Sequence, residues 1–307
     1  MNTNDILFSV IIPHRNSLHF LPKLIISIPD DKRVQVLLVD NSPEPVTKQQ
    51  LADAGIARTI ELLYSDPSRG AGGARNVGID NANGKWLIFA DADDYFSDKA
   101  FDTFFSFADS KAELVYTCMG GIYLDTGEHS DRGDGYTNLV RGYLNGTKTE
   151  MDLRLGFASP CCKMVSHDLV KRHNLRYDEI RAGNDIYFST LSGFYAKGIE
   201  AVDFVSYIAT VSRGSLTQRR DYEVIKARLY SILHCNQFLK SVGKQKYQHS
   251  VMFAVAESRN YGIVACLEFI GMIIKFRQNP FIHCSRWFNT FLRNRKADKQ
   301  NSKYITR

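Results

Sequence analysis

The stretch Ser68–Asp94 reads SRGAGGARNVGIDNANGKWLIFADADD and joins a glycine-rich segment, a helical segment, a turn and a strand. The apolar run 85–90 predicts a β-strand buried on both faces, since it lacks polar alternation. Asn83-Gly84 predicts the turn before that strand. The acidic segment Asp91-Ala92-Asp93-Asp94 follows the strand at once. The stretch therefore predicts a helix–strand unit with carboxylates at the carboxyl end of the strand.

Three further apolar runs lie upstream, separated by segments whose apolar residues recur at helical spacing. These runs predict strands over 8–12, 34–39 and 59–64. Strands that alternate with helices indicate βαβ units and a Rossmann-like, mostly parallel, doubly wound sheet. Ligands of such sheets bind beyond the carboxyl ends of the strands, where this sequence places most of its acids and amides.

Beyond residue 100 the pattern is weaker but still alternates between helix and strand. It predicts helices over 101–108 and 166–173, strands over 113–118 and 199–212, and a loop or lid over 125–150, which is rich in Gly, Asp, Asn and Thr. From Tyr222 to about residue 295 the pattern is helical. We therefore predict an α/β catalytic domain over 1–220, with halves 1–124 and 125–220, and a helical C-terminal region over 221–307 with a basic tail.

Charge is unevenly distributed along the 307 residues. The formal net charge is +6, and residues 271–307 contribute nine Lys/Arg against one Asp, so the rest of the chain is slightly acidic. An acidic body and a tail without a stacking pattern argue against nucleic-acid binding. The tail itself suits either anionic lipid or a solvated end.

The six cysteines show no metal-ligand spacing, which fits a reducing cytoplasm. No signal peptide and no apolar run of about 20 residues is evident. Ile270, Ile273 and Ile274, followed by Lys275 and Arg277, suit an interfacial helix at the inner face of the membrane, or equally a helix packed on the body. The sequence leaves homo-oligomerisation open.

The acidic segment is the strongest candidate site. Carboxylates at alternate positions can hold one hard cation, Mn²⁺ or Mg²⁺, together with the oxygens of a diphosphate. The alternative is an acidic turn that caps the next helix. After a buried strand, with other polar residues at the same sheet edge, metal binding is the better interpretation.

Three other positions have a functional and a structural interpretation. Arg75 follows a glycine-rich loop that is neither a dinucleotide fingerprint nor a P-loop, and it can bind an anion at a helix start; Arg69 is a weaker candidate. Asp40 can accept a hydrogen bond from a base or ribose, or form a turn. Asp185 can act as a general base toward a hydroxyl, or cap a helix.

The order of these segments resembles glycosyltransferase family 2, whose members are inverting enzymes of the GT-A fold. The resemblance rests on SVIIPHRN (9–16), LLVDNSP (37–43), the 68–94 stretch, GNDIYF (183–188) and YIATVSRGSLT (207–217), and covers roughly residues 7–218. Arg15, Asn41, Pro43 and Asn184 depart from the family pattern. The 68–94 stretch is its most specific part.

The resemblance implies a nucleotide-sugar donor and a glycan or lipid-linked acceptor in bacterial-type surface polysaccharide synthesis, with a hexosyltransferase-type activity. By position, Asp185 is the general base and Asp93 the metal ligand. The other implied donor contacts are Pro13, Asp40, Arg75, Asp91, Asp94, Arg213 and Ser215, with Thr217 beside them. The departures at Arg15 and Asn41 leave the base open, with uridine favoured by family habit.

Two other function classes remain as alternatives. A nucleotidyltransferase would carry a glycine-rich basic loop after the first strand, where this chain has PHRNS. A non-catalytic binding protein on a degenerate transferase fold would have no need of the acidic segment and Asp185.

Overall fold

The acidic segment follows strand β4 (Trp86–Phe89), all four residues of which are buried. The structure is a computed structural model and describes residues 6–211 and 221–281. The chain divides into two compact units, Met1–Arg219 and Arg220–Arg307.

The first unit is built on one mixed sheet, whose described strands stand in the order β3-β2-β1-β4-β7-β6-β8-β5. The other strands are β1 (Phe8–His14), β2 (Val34–Asp40), β3 (Glu61–Tyr64), β5 (Tyr95–Phe96), β6 (Leu114–Tyr123), β7 (Lys163–Ser166) and β8 (Ile199–Val211). The pairs β3–β2, β2–β1, β1–β4 and β6–β8 are parallel, whereas both partners of β7 and the β5–β8 pair are antiparallel. The α/β class is confirmed, and β7 and β5 are the strands that make the sheet mixed.

The register of the parallel strands determines which residues share an edge. Ile11 of β1 pairs with both Leu37 of β2 and Phe89 of β4. Three residues further on, His14 pairs with Asp40. The ends of β1 and β2 and the start of the acidic segment therefore lie at the same edge, with neighbouring strands about 4.8 Å apart.

Helices surround this sheet. They are α1 (Leu21–Ile26), α2 (Lys48–Asp53), α3 (Gly70–Asn81), α4 (Ala100–Ser106), α5 (Asp134–Leu144), α6 (Glu150–Gly156), α7 (His167–Arg172) and α8 (Asp185–Tyr195). Single turns of 3-10 helix cover Pro67–Arg69 and Asp131–Gly133.

The glycine-rich segment is not a loop, as the sequence suggested, but the first turn of α3. A Cβ on Gly72 would lie 2.0 Å from the main-chain oxygen of Asp178, and one on Gly78 would lie 2.4 Å from Cγ2 of Ile11. The glycines are therefore required by close packing of the helix against the 178–184 segment and against β1.

The prediction of a loop or lid over 125–150 was also wrong. This region contains α5 and the start of α6, and α5 buries Thr137, Val140 and Gly142. Residues that individually favour turns are helical here because one face of α5 packs on the body of the unit.

The second unit is helical over its described residues. It contains α9 (Tyr222–Ser241), α10 (Met252–Ser258) and α11 (Ile263–Lys275), with 3-10 turns at Gln245–Tyr247 and Arg259–Tyr261. Its core includes Leu229, Leu233, Phe269 and Ile273. No helix in the described ranges has both the length and the apolar character needed to cross a bilayer.

Candidate active site

Strand β8 positions the main chain of the acidic segment. The backbone N–H of Asp91 donates to the hydroxyl of Tyr207 at 2.8 Å. The backbone N–H of Thr210 donates to Oδ1 of Asp94 at 2.7 Å, and the Thr210 hydroxyl donates to the main-chain oxygen of Asp93 at 2.6 Å. These bonds orient the three carboxylates relative to the sheet edge.

The three carboxylates lie close enough to repel one another. Burial, followed by the charge of Asp91, raises the pKa of Asp93. Burial and the charges of Asp91 and Asp93 raise the pKa of Asp94 well above its usual range. Arg132, from the 3-10 turn before α5, faces this cluster, and the three carboxylates raise its pKa although burial opposes them. The cluster carries an excess of negative charge that a cation would relieve.

The chemistry of these side chains fits a divalent metal ion held jointly with a ligand. Residues 6–211 and 221–281 contain no cluster of three His, Cys, Asp or Glu side chains arranged to bind a metal by themselves. Mg²⁺ and Mn²⁺ prefer oxygen ligands, and Mg²⁺ is commonly held by one or two carboxylates with phosphate oxygens completing the shell. The main-chain oxygen of Asp93 accepts a hydrogen bond from Thr210, and no side chain in the described part of the protein donates a hydrogen bond to its carboxylate.

Arg75 joins the acidic segment to the start of α8. It lies in the second turn of α3 with a nearly inaccessible side chain, and it donates to Oδ1 of Asp91 at 2.5 Å and to Oδ1 of Asn184 at 2.8 Å. Burial opposes its charge, but the charges of Asp91 and of further groups that include Asp185 together outweigh burial and raise the pKa of Arg75. Its guanidinium carbon also lies 5.3 Å from the ring centroid of Tyr177.

Asp185 begins α8 directly after Asn184 and belongs to the same electrostatic group. Burial raises the pKa of its carboxyl, the charge of Arg75 and a backbone hydrogen bond lower it, Asp91 raises it again, and the charge of Lys163 lowers it to a smaller extent. A partly buried carboxylate with a raised pKa at the edge of an acidic site has the properties of a general base that works near neutral pH.

Asp40 is engaged by its own loop. Its carboxylate accepts hydrogen bonds from the Ser42 hydroxyl at 2.6 Å, from the Val46 N–H at 2.7 Å and from Nδ1 of His14 at 2.8 Å. Burial disfavours the charged form, but these bonds prevail and lower the pKa of Asp40. Because the side chain is 0% exposed, Asp40 shapes the loop beside Pro13, and contact with a nucleoside requires it to exchange one of these bonds.

Some predicted site residues are not brought into this group. Arg213, Ser215 and Thr217 lie outside the described residues. Arg69 is engaged by another partner, since its Nε donates to Oε2 of Glu179 at 2.7 Å.

Three site residues escaped sequence reasoning: Arg132, Lys163 and Tyr207. Arg132 lies in the region that was predicted to be a loop or lid. Tyr207 is an ordinary buried aromatic by pattern. Lys163 interrupts an apolar run between Cys162 and Met164, and only the structure shows that its side chain is fully buried.

Two adjacent thiols are close enough to the acidic segment for its charges to act on them. Cys161 and Cys162 are both buried. Burial, then the charges of Asp91 and Asp94, raises the pKa of Cys161, and burial likewise raises that of Cys162. Both side chains are therefore neutral thiols near pH 7.

Comparisons with known proteins identify relatives in sequence and solved structures of similar fold. The chain is 24% identical over 167 residues to the putative glycosyltransferase EpsH of Bacillus subtilis. The aligned region covers 53% of this chain and only 48% of that relative, so the chain spans about half the length of EpsH. It is 26% identical over 243 residues to the succinoglycan biosynthesis protein ExoO of Rhizobium meliloti, covering 74% of the chain and 67% of the relative.

Among solved structures, the crystal structure of S. aureus TarS 1-349 in complex with UDP-GlcNAc matches with a TM-score of 0.63 at 21% identity, over 88% of this chain and 80% of that one. This likeness confirms the predicted GT-A fold. The model of the family described as "Glycosyl transferase family 2" matches residues 9–173, more than half of the sequence. The chain belongs to glycosyl transferase family 2.

Proposed function

We propose that this protein is an inverting glycosyltransferase that moves a sugar from a nucleotide diphosphate sugar to a hydroxyl of a glycan or lipid-linked acceptor in surface polysaccharide synthesis. The observation that carries the proposal is the double contact of Arg75. Its bonds to Asp91 and Asn184 bring the acidic segment to the residue that precedes Asp185. A donor-binding group and a candidate base are thereby held together.

The donor is proposed to be a UDP-sugar that lies along the sheet edge. The base and ribose lie beside Pro13 and the Asp40 loop, Arg75 and Asp91 border the ribose and sugar, and Asp94 helps to position the sugar. Arg213 and Ser215 are proposed to contact the diphosphate. The similarity of fold to a protein solved with UDP-GlcNAc supports the uridine base.

Asp93 is proposed to hold the divalent ion, Mn²⁺ or Mg²⁺. When bound, such an ion stabilises the negative charge on the departing diphosphate. The raised pKa of Asp93 supports this role, because a cation next to it would remove the repulsion from Asp91.

Asp185 is proposed to take the proton from the acceptor hydroxyl as that oxygen attacks the anomeric carbon. The nucleotide diphosphate leaves from the opposite face, so the configuration of that carbon inverts. Burial that raises the pKa of Asp185 makes it a better proton acceptor than an exposed aspartate.

A donor screen tests the proposal. Melting temperatures are measured with a panel of UDP-, GDP- and dTDP-sugars, with and without Mn²⁺, and stabilisation by a UDP-sugar that requires Mn²⁺ is expected. With the selected donor, Asp185→Asn should slow transfer by about 10²–10⁴-fold and leave donor affinity unchanged. Wild-type turnover in that variant excludes Asp185 as the base, and absence of any nucleotide-sugar effect contradicts the proposed function.

We also infer that the enzyme works at the cytoplasmic face of a membrane, where a lipid-linked acceptor is presented. The outward face of α11 supports this location: it exposes Ile263, Val264, Leu267 and Ile274, the last two at 63% and 69%. Exposed Lys275 and Arg277 follow it. Leu267→Asp should reduce co-sedimentation with anionic vesicles, whereas Ile26→Asp, at an isolated exposed position of the first unit, should leave it unchanged.

A further inference from the structure

Lys163 is an unusual residue to find in the interior of this unit. It lies on β7 and its side chain is fully buried. Its ammonium group donates to the Ser189 hydroxyl at 3.0 Å and lies 5.5 Å from the ring centroid of Phe157. A buried ammonium group is costly unless an opposite charge accompanies it, so the carboxylate that attracts it most strongly is of interest.

That carboxylate belongs to Asp185. Ser189, which accepts the bond from Lys163, lies four residues after Asp185, so the two share one face of α8. Of all charges that act on Lys163, Asp185 provides the strongest attraction, ahead of the Cys161 and Cys162 thiols. Lys163 thus acts on Asp185 from strand β7.

We propose that Lys163 is a positioning residue whose buried ammonium group keeps the Asp185 carboxyl ionised and oriented for proton abstraction. This inference rests on the proposed role of Asp185 as the base. Arg75 is the stronger of the two cations that act on Asp185, but it is also engaged in a direct ion pair with Asp91. Lys163 has no such direct ion pair among the residues that the structure describes, so its charge remains available to Asp185.

All charged and titratable groups that face Asp185 have to be weighed. Within residues 6–211 and 221–281 they are Arg75 on α3, Asp91 after β4, Lys163 on β7, Tyr136 on α5 and Tyr177 before α8. Tyr136 and Tyr177 have pKa values raised by burial and stay neutral near pH 7. The balance at Asp185 is therefore set by two cations against one carboxylate.

The direction of the pH effect follows from the two groups. Burial lowers the pKa of Lys163 to about 7, so the ammonium form prevails below neutral pH. Burial raises the pKa of Asp185, and the ammonium group counteracts this rise. Lys163 therefore keeps Asp185 deprotonated in the acidic range, where the base would otherwise be lost by protonation.

The first experiment measures the carboxyl group directly and needs no donor. The protein is labelled with ¹³C at the aspartate carboxyl carbons, and the Asp185 signal is assigned by its loss in Asp185→Asn. In Lys163→Met the midpoint of that signal should rise by about one pH unit. Lys171→Met, which removes an exposed lysine from the same unit, should leave it unchanged, and so should Ser189→Ala, which keeps the ammonium charge.

A reciprocal measurement covers the case in which Lys163→Met does not fold. The coupling between two titrating groups is mutual. Asp185→Asn should therefore lower the pKa of Lys163, which ¹³C-lysine spectra measure through a signal that titrates near pH 7. No change in that lysine would overturn the proposal. An unchanged Asp185 midpoint in a folded Lys163→Met variant would overturn it as well.

The pH dependence of sugar transfer then tests whether the coupling between Lys163 and Asp185 affects the reaction. The acid limb of kcat/KM should move upward by about one pH unit in Lys163→Met, which is about a tenfold loss on that limb, with donor affinity unchanged. A uniform loss at all pH values would show a merely structural role. If instead Asp185→Asn retains wild-type turnover, the proposed function fails at the base itself, an outcome that the NMR titration tells apart from a failure at Lys163.

Discussion

The guanidinium of Arg75 lies 2.5 Å from the carboxylate of Asp91, and this ion pair crosses from helix α3 to the end of β4. The arginine is almost inaccessible, whereas the aspartate is 32% exposed. Arg75 therefore loses more on breaking the pair than Asp91 does, because water can replace the partner of Asp91 but not that of Arg75. The ion pair fixes the acidic segment against α3.

Arg75→Met should destabilise the first unit by about 3 kcal/mol, because Asp91 loses its cation and Asn184 loses its donor. The matched control is Arg69→Met, which removes a half-exposed pair with Glu179 and should cost less than about 1 kcal/mol. Urea unfolding of both variants measures the difference. Equal losses would mean that the buried pair is not a structural link.

Gly72→Ala should also be strongly destabilising, by more than about 2 kcal/mol, since the added Cβ meets main-chain oxygen of Asp178 and not a flexible side chain. Gly135→Ala is the control, because a Cβ there meets nothing within 4 Å and alanine favours helix α5. The control should be neutral or slightly stabilising in the same urea experiment. A benign Gly72→Ala would contradict close packing of α3 on the 178–184 segment.

The Asp40 loop should make stability depend on pH. The folded pKa of Asp40 is lowered by hydrogen bonds from Ser42, His14 and Val46, so its contribution is full above the unfolded pKa of about 4 and is lost as pH falls through the folded pKa. Asp40→Asn should lower the melting temperature at pH 7, with a smaller difference from wild type at pH 3. Asp102→Asn, an exposed change on α4, should show no such pH-dependent difference.

Divalent-ion binding should depend on Asp93. Calorimetric titration with UDP in the presence of Mn²⁺ should show binding to wild type that is lost on chelation and abolished in Asp93→Ala. Asp98→Ala removes an exposed carboxylate five residues further along and should bind UDP as wild type does. Unchanged binding by the Asp93 variant would exclude it as the metal ligand.

The first half of the fold was predictable because each parallel strand reads as a continuous apolar run. Asp40 and the acidic segment were predicted to share an edge for the same reason, since the carboxyl ends of parallel strands lie at one edge of the sheet. The antiparallel strand β7 was not predicted, because a four-residue strand that contains a lysine has no local signature.

The remaining site residues depend on long-range pairing. Arg132 reaches the acidic segment only because the 131–133 turn packs against β8, where its guanidinium contacts the main-chain oxygen of Thr210. The hydroxyl of Tyr207 accepts a hydrogen bond from the backbone N–H of Asp91, which lies 116 residues earlier in the sequence. No local pattern encodes such contacts, and the helical state of α5 is likewise set by packing and not by propensity.

The rate at which the adjacent thiols of Cys161 and Cys162 are alkylated can be used to follow local opening of the native protein. Buried and protonated, they react slowly with alkylating reagents unless the surrounding structure opens. Their rate of modification in the native protein therefore reports the free energy of local opening behind the acidic segment. Any ligand that closes this region should lengthen the labelling half-life, which supplies a readout of occupancy before a single sugar acceptor is known.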